Sequence, residues 1–166
     1  HFSQTGFFDG RPDALDIRDT LPFDSVQARQ RRNPDRYFET YLRSGVTAVY
    51  DVGGFDWTLE LQTFVEDDLN APHVAASGPL LTPFPQDRLD GFNVLPARQM
   101  LALDSEEFGR EYVQRNTALG STGIKIWSLN LKDTVFMKSL EAVAAEVREQ
   151  GNQLIVHATS LDQAKE

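Results

Sequence analysis

The hydrophobic pattern of the chain predicts strands and helices in alternation. Short apolar, β-rich runs with the length of buried strands lie at 46–51, 73–77, 122–127 and 153–158. Between them apolar positions recur every three or four residues, which predicts helices at 33–45, at 57–69, from about 104 to 119 and at 134–150. This order implies a parallel sheet with right-handed crossovers, and therefore an α/β fold.

The remaining segments are predicted from their turn-forming and capping residues. Asp104 and Glu107 resemble a capping pair at the start of their helix. Residues 1–32 carry glycine, proline and charge with weak periodicity, so we expect a loop-rich excursion there. A long proline-bearing loop is predicted over 78–97, and another helix is expected to begin at Leu161.

The composition limits the class of partner. The 166 residues suffice for one domain with its own core, and 25 acidic against 16 basic residues give a net charge of −9. That charge argues against a nucleic-acid partner, because proteins that bind nucleic acids need a basic surface. The chain has no cysteine, which excludes disulfides and thiolate metal ligands. No apolar run approaches the ~18 residues of a membrane span and no signal peptide is visible, so the cellular location stays open.

Two ionisable residues interrupt strands that are otherwise suited to burial. Lys125 alternates with Ile124 and Ile126, and His157 ends a strand in which it shares a face with Ile155. If helices cover the isoleucine face of the first strand, Lys125 and His157 point toward the interior of a barrel near its carboxyl rim. Burying a lysine is unfavourable unless its amine is paired, neutral or modified, so we predict a catalytic role for Lys125.

Three interpretations of these two residues remain open. A desolvated lysine with a lowered pKa can attack a carbonyl carbon and form a Schiff base. Its neutral amine can instead take up carbon dioxide, which gives a carbamate able to bridge two metal ions. The histidine favours this second reaction, because imidazole is a common ligand of zinc-like ions. The third interpretation is a metal-free α/β binding or assembly module, in which His157 is a core histidine and Lys125 extends to solvent.

Other polar residues are weaker candidates. His73 begins its strand, and residues at that end of a barrel serve stability. Asp51 precedes a glycine-rich turn, and hydrogen bonding to that turn explains it without a catalytic role. The predicted proline-bearing loop offers an apolar wall and one cation, or else is a packed surface excursion; the residues concerned are Phe84, Pro85, Arg88 and Phe92.

Five short motifs occur in order along nearly the whole chain. They are His1-Phe2, the run from Gly45 through Val46-Thr47-Ala48-Val49-Tyr50-Asp51 to Gly54, Ala76-Ser77-Gly78-Pro79, Ile124-Lys125-Ile126 and Val156-His157-Ala158. Together they resemble the amidohydrolase superfamily, particularly its imidazolonepropionase-like and prolidase-like members. The resemblance implies parallel (β/α) units of an incomplete TIM barrel, in which residues 1–166 form strands one to five of a partial domain that is incomplete at both ends.

The resemblance also implies a metal site. His1 matches the second histidine of a first-strand pair, Lys125 the lysine whose carbamate bridges two metals, and His157 a fifth-strand ligand of the second metal. One or two divalent ions, zinc first among them, would activate a water molecule. That water would hydrolyse an amide, peptide or cyclic amide C–N bond in a small-molecule or peptide-like substrate. A homo-oligomer is compatible with this assignment.

Several elements of the family fall outside the 166 residues. The first histidine of the pair would precede His1, and a sixth-strand histidine and the eighth-strand aspartate that serves as general base would follow Glu166. The family barrel needs about 250 residues. We therefore expect the chain alone to be inactive, and its folding in isolation to be weakened by an open parallel edge. The expected hydrolase is the protein at its natural length.

Overall fold

Parallel strands form the centre of the structure, a computed structural model that describes residues 22–91, 93 and 97–165. Within these ranges the strands are β1 (Ala48–Asp51), β2 (His73–Ala76), β3 (Leu80–Thr82), β4 (Met100–Ala102), β5 (Ile124–Ile126) and β6 (Leu154–Val156). The helices there are α1 (Phe23–Arg32), α2 (Asp35–Arg43), α3 (Trp57–Phe64), α4 (Gln86–Asp90), α5 (Glu106–Ala118) and α6 (Thr134–Glu149). None of these helices has the length and apolar character that crossing a membrane requires.

The strands form one sheet of β1-β2 and one of β4-β3-β5-β6, and every pairing is parallel. A bend at Gly78, whose φ is +69°, separates β2 from β3. The amide of Thr122, just before β5, donates to the carbonyl of Ala76 at the end of β2 (3.0 Å). Thus β1, the bent β2/β3 strand, β5 and β6 lie side by side in chain order, and β4 lies beside β3. The fold is α/β, with the parallel β/α units of an incomplete TIM barrel, as predicted.

Helices cover one face of the strands and bury two hydrophobic clusters against it. The cluster around α2 and α3 contains Tyr37, Phe38, Phe55, Trp57, Leu61, Val65 and Val74. The cluster beneath α5 and α6 contains Leu81, Leu103, Tyr112, Val113, Ile124, Ile126, Leu129, Phe136, Val143 and Val147. Full burial of one such side chain stabilises the fold by about 1.5–3 kcal/mol. These clusters therefore determine which face of the strands packs against the helices. The opposite face is left for polar and reactive residues.

The two longest helices approach each other closely at Gly109 of α5. A Cβ at this position would lie 2.8 Å from Val143 Cγ2 and 3.1 Å from Leu103 Cδ1. A larger side chain would therefore push α5 away from α6 and from the end of β4. The glycine allows both helices to pack tightly on β5, where Ile124 and Ile126 are fully buried.

Two predicted loops contain regular structure. Residues 23–32, expected within a loop-rich segment, form α1, and the basic run at 29–32 ends that helix. The segment 78–97 contains β3 and α4 instead of an uninterrupted loop. Both elements are short, and β3 lies between Pro79 and Pro83, so neither has enough residues for a hydrophobic period to appear in the sequence.

Some predicted helix ends were also wrong. Ser105 rather than Asp104 caps α5, since its Oγ accepts a hydrogen bond from the amide of Phe108 (3.3 Å). The helix predicted at 57–69 ends at Phe64, and residues 161–165 form turns in place of the expected helix. A serine and an aspartate next to each other are equally good caps, so only the backbone geometry distinguishes them.

Candidate active site

Lys125 occupies the middle of β5 and is buried, with 7% of its surface exposed. Its neighbours Ile124 and Ile126 are fully buried in the cluster beneath α5 and α6. Because side chains alternate along a strand, Lys125 lies on the face that points away from these helices. In a (β/α) barrel this is the interior face, and residues toward the carboxyl ends of the strands build the active site there.

The amine of Lys125 has no hydrogen bond or ion pair within the described part of the chain. Desolvation lowers the pKa of Lys125 from its ordinary value of 10.5, because a buried cation loses its hydration. A larger fraction of the side chain is therefore neutral amine near neutral pH. The neutral amine is the nucleophilic form, which both the Schiff-base and the carbamate reactions need.

His157 directly follows β6 at the carboxyl edge of the sheet. Its amide donates to the carbonyl of Ile126 (3.0 Å), so the pairing of β5 with β6 extends to this residue. In this register Lys125 is opposite Ile155, and His157 shares the face of Ile155. The backbone thus brings Lys125 and His157 to one face of two neighbouring strands. The imidazole is exposed and belongs to the rim of that face.

Tyr50 of β1 reaches across the same face to Gly123, which precedes β5. A Cβ on Gly123 would collide with the Tyr50 hydroxyl and would lie 3.2 Å from Ile155 Cδ1. Because β2/β3 lies between β1 and β5, this contact requires the sheet to curl around its interior face. Burial raises the pKa of Tyr50. The sequence pattern did not single out Tyr50, and its only signal was a glycine within a strand, which often marks such a close approach.

Two aromatic rings form a wall at the rim beyond Lys125. The amide of Trp127 donates to the carbonyl of Leu81 (2.8 Å), so strand pairing continues past the end of β5 and Trp127 shares the face of Lys125. The Trp127 ring meets the Phe84 ring edge-on, with centroids 5.9 Å apart. Cζ of Arg88 lies 4.6 Å from the Phe84 centroid. The rim therefore carries an aromatic wall with a cation stacked on it.

The residue after Trp127 has a strained backbone. Ser128 has a φ of +70°, and it is the only residue other than glycine with a positive φ within the described ranges. A conformation of this kind costs about 1–3 kcal/mol and is found most often at functional sites. Serine gives no sequence signal for it, since asparagine or glycine is the usual residue in this conformation.

Neither Asp51 nor His73 belongs to the candidate site. Asp51 ends β1 and is 3% exposed, and its register with Ala76 assigns it to the side of the sheet that the helices cover. The pKa of Tyr41 on α2 is raised by burial and, to a smaller extent, by the charge of Asp51. Asp51 thus lies close enough to α2 to affect it, as expected on the helix-covered side. His73 is exposed at the amino end of β2, opposite to the rim.

Two of the described residues have side chains that could serve as metal ligands. Lys125 can become an anionic oxygen donor by carbamate formation, and His157 offers an imidazole nitrogen on the adjacent strand. Among residues 22–91, 93 and 97–165, no group of three or more His, Cys, Asp or Glu side chains is arranged to hold a metal ion. His1, the other predicted ligand, lies outside the described residues. Lys125 and His157 alone do not make a metal site within the described residues.

The fold and the rim define an α/β protein built from parallel β/α units, with its candidate site at the carboxyl ends of the strands. A putative prolidase from Bifidobacterium longum has a similar structure, with 22% identity, a TM-score of 0.63 and coverage of 83% of this chain and 34% of its own. A prolidase complexed with N-methylphosphonate-L-proline is similar at 22% identity and a TM-score of 0.64, over 89% of this chain and 40% of its own.

A third solved structure, of an uncharacterized protein, has 23% identity and a TM-score of 0.63, over 89% of this chain and 39% of its own. The chain thus spans less than half the length of the solved structures that it resembles. No protein-family model and no curated protein matches the chain. At these identities the likeness establishes the fold, and the chemistry has to be argued from the residues at the rim.

Proposed function

We propose that this chain is part of a metal-dependent amidohydrolase that hydrolyses C–N bonds of amides, peptides or cyclic amides. Residues 1–166 would supply strands one to five of its barrel. The observation that carries the proposal is the position of Lys125, a buried amine without an ion pair in the described residues, on one face with His157 of the neighbouring strand. Burial of a charged lysine is unfavourable for stability, so a lysine in this position favours a chemical role for its amine.

The chemistry of Lys125 begins with its neutral form. The nitrogen lone pair attacks the carbon of carbon dioxide, one N–C bond forms, and the nitrogen loses one proton to water, which leaves a carbamate with a single negative charge. Desolvation supports this step, because it lowers the pKa of Lys125 and so increases the amount of neutral amine. The product ends in two oxygens, which are suitable ligands for divalent ions.

In this proposal the Lys125 carbamate and the His157 imidazole hold one or two divalent ions, zinc first among them, and His1 is a further ligand. Such ions, when bound, polarise an amide carbonyl and acidify water. The chain itself would position them at the carboxyl ends of β5 and β6, where substrates enter barrels of this type. Burial of Lys125 beneath the rim would keep the carbamate away from competing water.

The similar solved structures support a hydrolase of this kind. Two are called prolidases, and one of these is complexed with N-methylphosphonate-L-proline. We accordingly propose a small-molecule or peptide-like amide as the substrate. Because the chain covers 40% or less of these proteins, the remaining ligands and the general base are proposed to lie in the rest of the protein.

The variant Lys125→Ala tests the proposal in the protein at its natural length. We expect its metal content to fall by about half or more, and its hydrolysis of N-acyl amino acids and dipeptides to fall more than about 100-fold, because the bridging ligand is lost. Metal content is measured by plasma emission spectrometry and hydrolysis by release of free amine. Lys138→Ala removes an exposed lysine from α6 and should retain both properties. Normal metal content and turnover in Lys125→Ala would contradict the proposal.

A second candidate function is Schiff-base catalysis, which the lowered pKa of Lys125 also favours. In that case the amine attacks a carbonyl carbon of the substrate and water leaves, so that an imine links Lys125 to the substrate. Borohydride would reduce the imine and attach the substrate permanently, with a mass increase on the peptide that contains Lys125. The hydrolase proposal expects no such adduct, and its appearance in metal-depleted, fully active protein would favour the Schiff base.

A further inference from the structure

We propose that Gln163 is a positioning residue, which ties the segment after β6 to the segment after β5 and so holds His157 in place beside Lys125. The inference rests on the proposed hydrolase function and adds a residue that supports its metal site without contacting metal or substrate. Its grounds are three hydrogen bonds of the Gln163 side chain, the exposure of the segment that carries His157 and the burial of Leu129.

The side-chain amide of Gln163 forms hydrogen bonds with both segments. Its oxygen accepts from the amide and from the hydroxyl of Thr159, at 2.7 and 2.9 Å, two residues after His157. Its nitrogen donates to the carbonyl of Leu129 (2.9 Å), in the segment that follows β5. Because both ends of one planar amide are used, movement of one segment relative to the other costs a hydrogen bond. Gln163 thus forms a bridge between the segments that follow the two strands of the candidate site.

The segment after β6 has little other support. Residues 157–162 are all exposed. Among the described residues, two hydrogen bonds join 157–165 to the rest of the chain: the amide of His157 donates to the carbonyl of Ile126, and the side chain of Gln163 donates to the carbonyl of Leu129. The first bond fixes the backbone where the strand pairing ends, but it does not constrain the turn that follows. The second bond therefore determines where this turn lies.

Leu129 attaches this bridge to the hydrophobic core. Its side chain is 8% exposed and belongs to the cluster beneath α5 and α6. It directly follows Ser128, whose φ of +70° is a strained conformation that persists only where surrounding contacts hold it. The hydrogen bond from Gln163 is one such contact. Through Leu129 the exposed segment is connected to the core, and a metal ligand on an exposed segment needs support of this kind to keep its orientation.

The bridge differs from a purely local role of Gln163 at the start of a helical turn. The Oγ of Ser160 accepts from the amide of Gln163 (3.2 Å), while the Gln163 side-chain oxygen accepts from Thr159. This reciprocal arrangement resembles a capping box, in which glutamate serves as well as glutamine. Glutamate can supply the oxygen that accepts from Thr159, but its carboxylate has no N–H for the carbonyl of Leu129. The variant Gln163→Glu therefore retains the local cap and removes the bridge.

The variants Gln163→Glu and Gln163→Met test the inference in the protein at its natural length, and Lys165→Ala, which changes an exposed residue of the same turn, is the matched control. Amide hydrogen exchange at residues 128–131 of the metal-free proteins is measured by mass spectrometry. We expect this exchange to be about fivefold faster in both Gln163 variants than in wild type, because one hydrogen bond is lost. Zinc affinity, measured by competition with a chromophoric chelator, should fall about tenfold in both. Lys165→Ala should match wild type in both measurements.

Exchange at residues 128–131 that is equal in Gln163→Glu and wild type would overturn the inference, because the local cap alone would then explain the residue. Zinc affinity that stays at the wild-type value in Gln163→Glu, despite faster exchange, would overturn it as well, since the bridge would then give His157 no support. Faster exchange in Gln163→Glu, together with a wild-type protein that binds no zinc, would support the bridge between the two segments while counting against the hydrolase function.

Discussion

At Lys125 the burial of a side chain and its charge oppose each other. The residue sits between two fully buried isoleucines, and no partner in the described residues compensates its charge. Folding therefore favours the neutral amine, which is the form that reacts with carbon dioxide or a carbonyl. We therefore expect Lys125 to lower the stability of the metal-free protein, and this effect can be measured.

The pH dependence of stability follows from the lowered pKa of Lys125. Its folded-state pKa lies below the unfolded value of 10.5, so between the two the unfolded chain binds more protons and stability rises with pH. Lys125→Met, which lacks the amine, should make the metal-free protein more stable by about 1 kcal/mol near pH 7. The difference should shrink as the pH approaches 10.5. Urea unfolding of both proteins measures it at about pH 7 and about pH 10.

Lys138→Met serves as the control for this prediction, because Lys138 is exposed and its replacement should give no pH-dependent difference. A Lys125→Met protein that is less stable than wild type near neutral pH would contradict the proposed cost of the buried amine.

The sequence predicted the face of the sheet on which Lys125 and His157 lie, because side chains alternate along a strand with a fixed period of two. Their roles stay predictions. Tyr50 and Ser128 could not be predicted in the same way. The contact of Tyr50 with Gly123 depends on the curl of the sheet, and the left-handed φ of Ser128 depends on the turn after β5; neither is encoded in a local pattern.

Among the elements, β5 and the residues on either side of it carry most of the candidate site. Gly123, Lys125 and Trp127 follow one another along its interior face, where Gly123 lies against Tyr50 and Trp127 lies against Phe84. Gly123 leaves the space that the Tyr50 hydroxyl occupies. The position of Tyr50 thus determines how closely β1 can approach β5 across the curled sheet.

This close approach predicts a coupled pair of variants. Gly123→Ala places a methyl group where the Tyr50 hydroxyl lies and should destabilise the protein by about 2 kcal/mol. Tyr50→Phe alone should have a small effect, because within the described residues its buried hydroxyl has only a weak interaction, with Thr122. The double variant should recover about 1 kcal/mol relative to the sum of the two single variants. Urea unfolding of the four proteins provides the comparison.

Gly91→Ala is a suitable control, since a Cβ there would be 3.4 Å from the nearest backbone oxygen, an ordinary contact, and stability should change by less than about 0.5 kcal/mol. Strict additivity of Gly123→Ala and Tyr50→Phe would show that the two residues do not compete for the same space.

The long helices were the elements that the sequence predicted most clearly. The helix predicted at 134–150 is observed as α6 at Thr134–Glu149, because four turns give a clear apolar stripe and Gly151 ends them. The three residues of β3 and the five of α4 lie within a proline-bearing segment and give no period. Their positions are determined by tertiary hydrogen bonds, such as that between Gln86 and Ala102, which sequence patterns do not show.

In the whole molecule, β1, the bent β2/β3 strand, β5 and β6 lie side by side in chain order, while β4 lies beside β3 and outside that order. Within the described residues β6 has a strand partner on one side only, and Val156 on it is exposed. We propose that further barrel strands continue from this edge and bring the missing metal ligands and the general base. A complete barrel needs more residues than this chain provides. The metal ligands of such a barrel could therefore be predicted only from the family resemblance and not from the hydrophobic pattern of this chain.

We propose that Lys125 becomes a carbamate and that this carbamate would hold metal together with His157. The most direct measurement is carbon-13 NMR of the natural-length, metal-loaded protein equilibrated with ¹³C-bicarbonate. We expect one protein-bound carbamate resonance that is present in wild type and in Lys138→Ala and is lost in Lys125→Ala. This resonance should disappear together with the metal when a chelator is added at low pH. A fully metal-loaded, active wild-type protein without that resonance would contradict it.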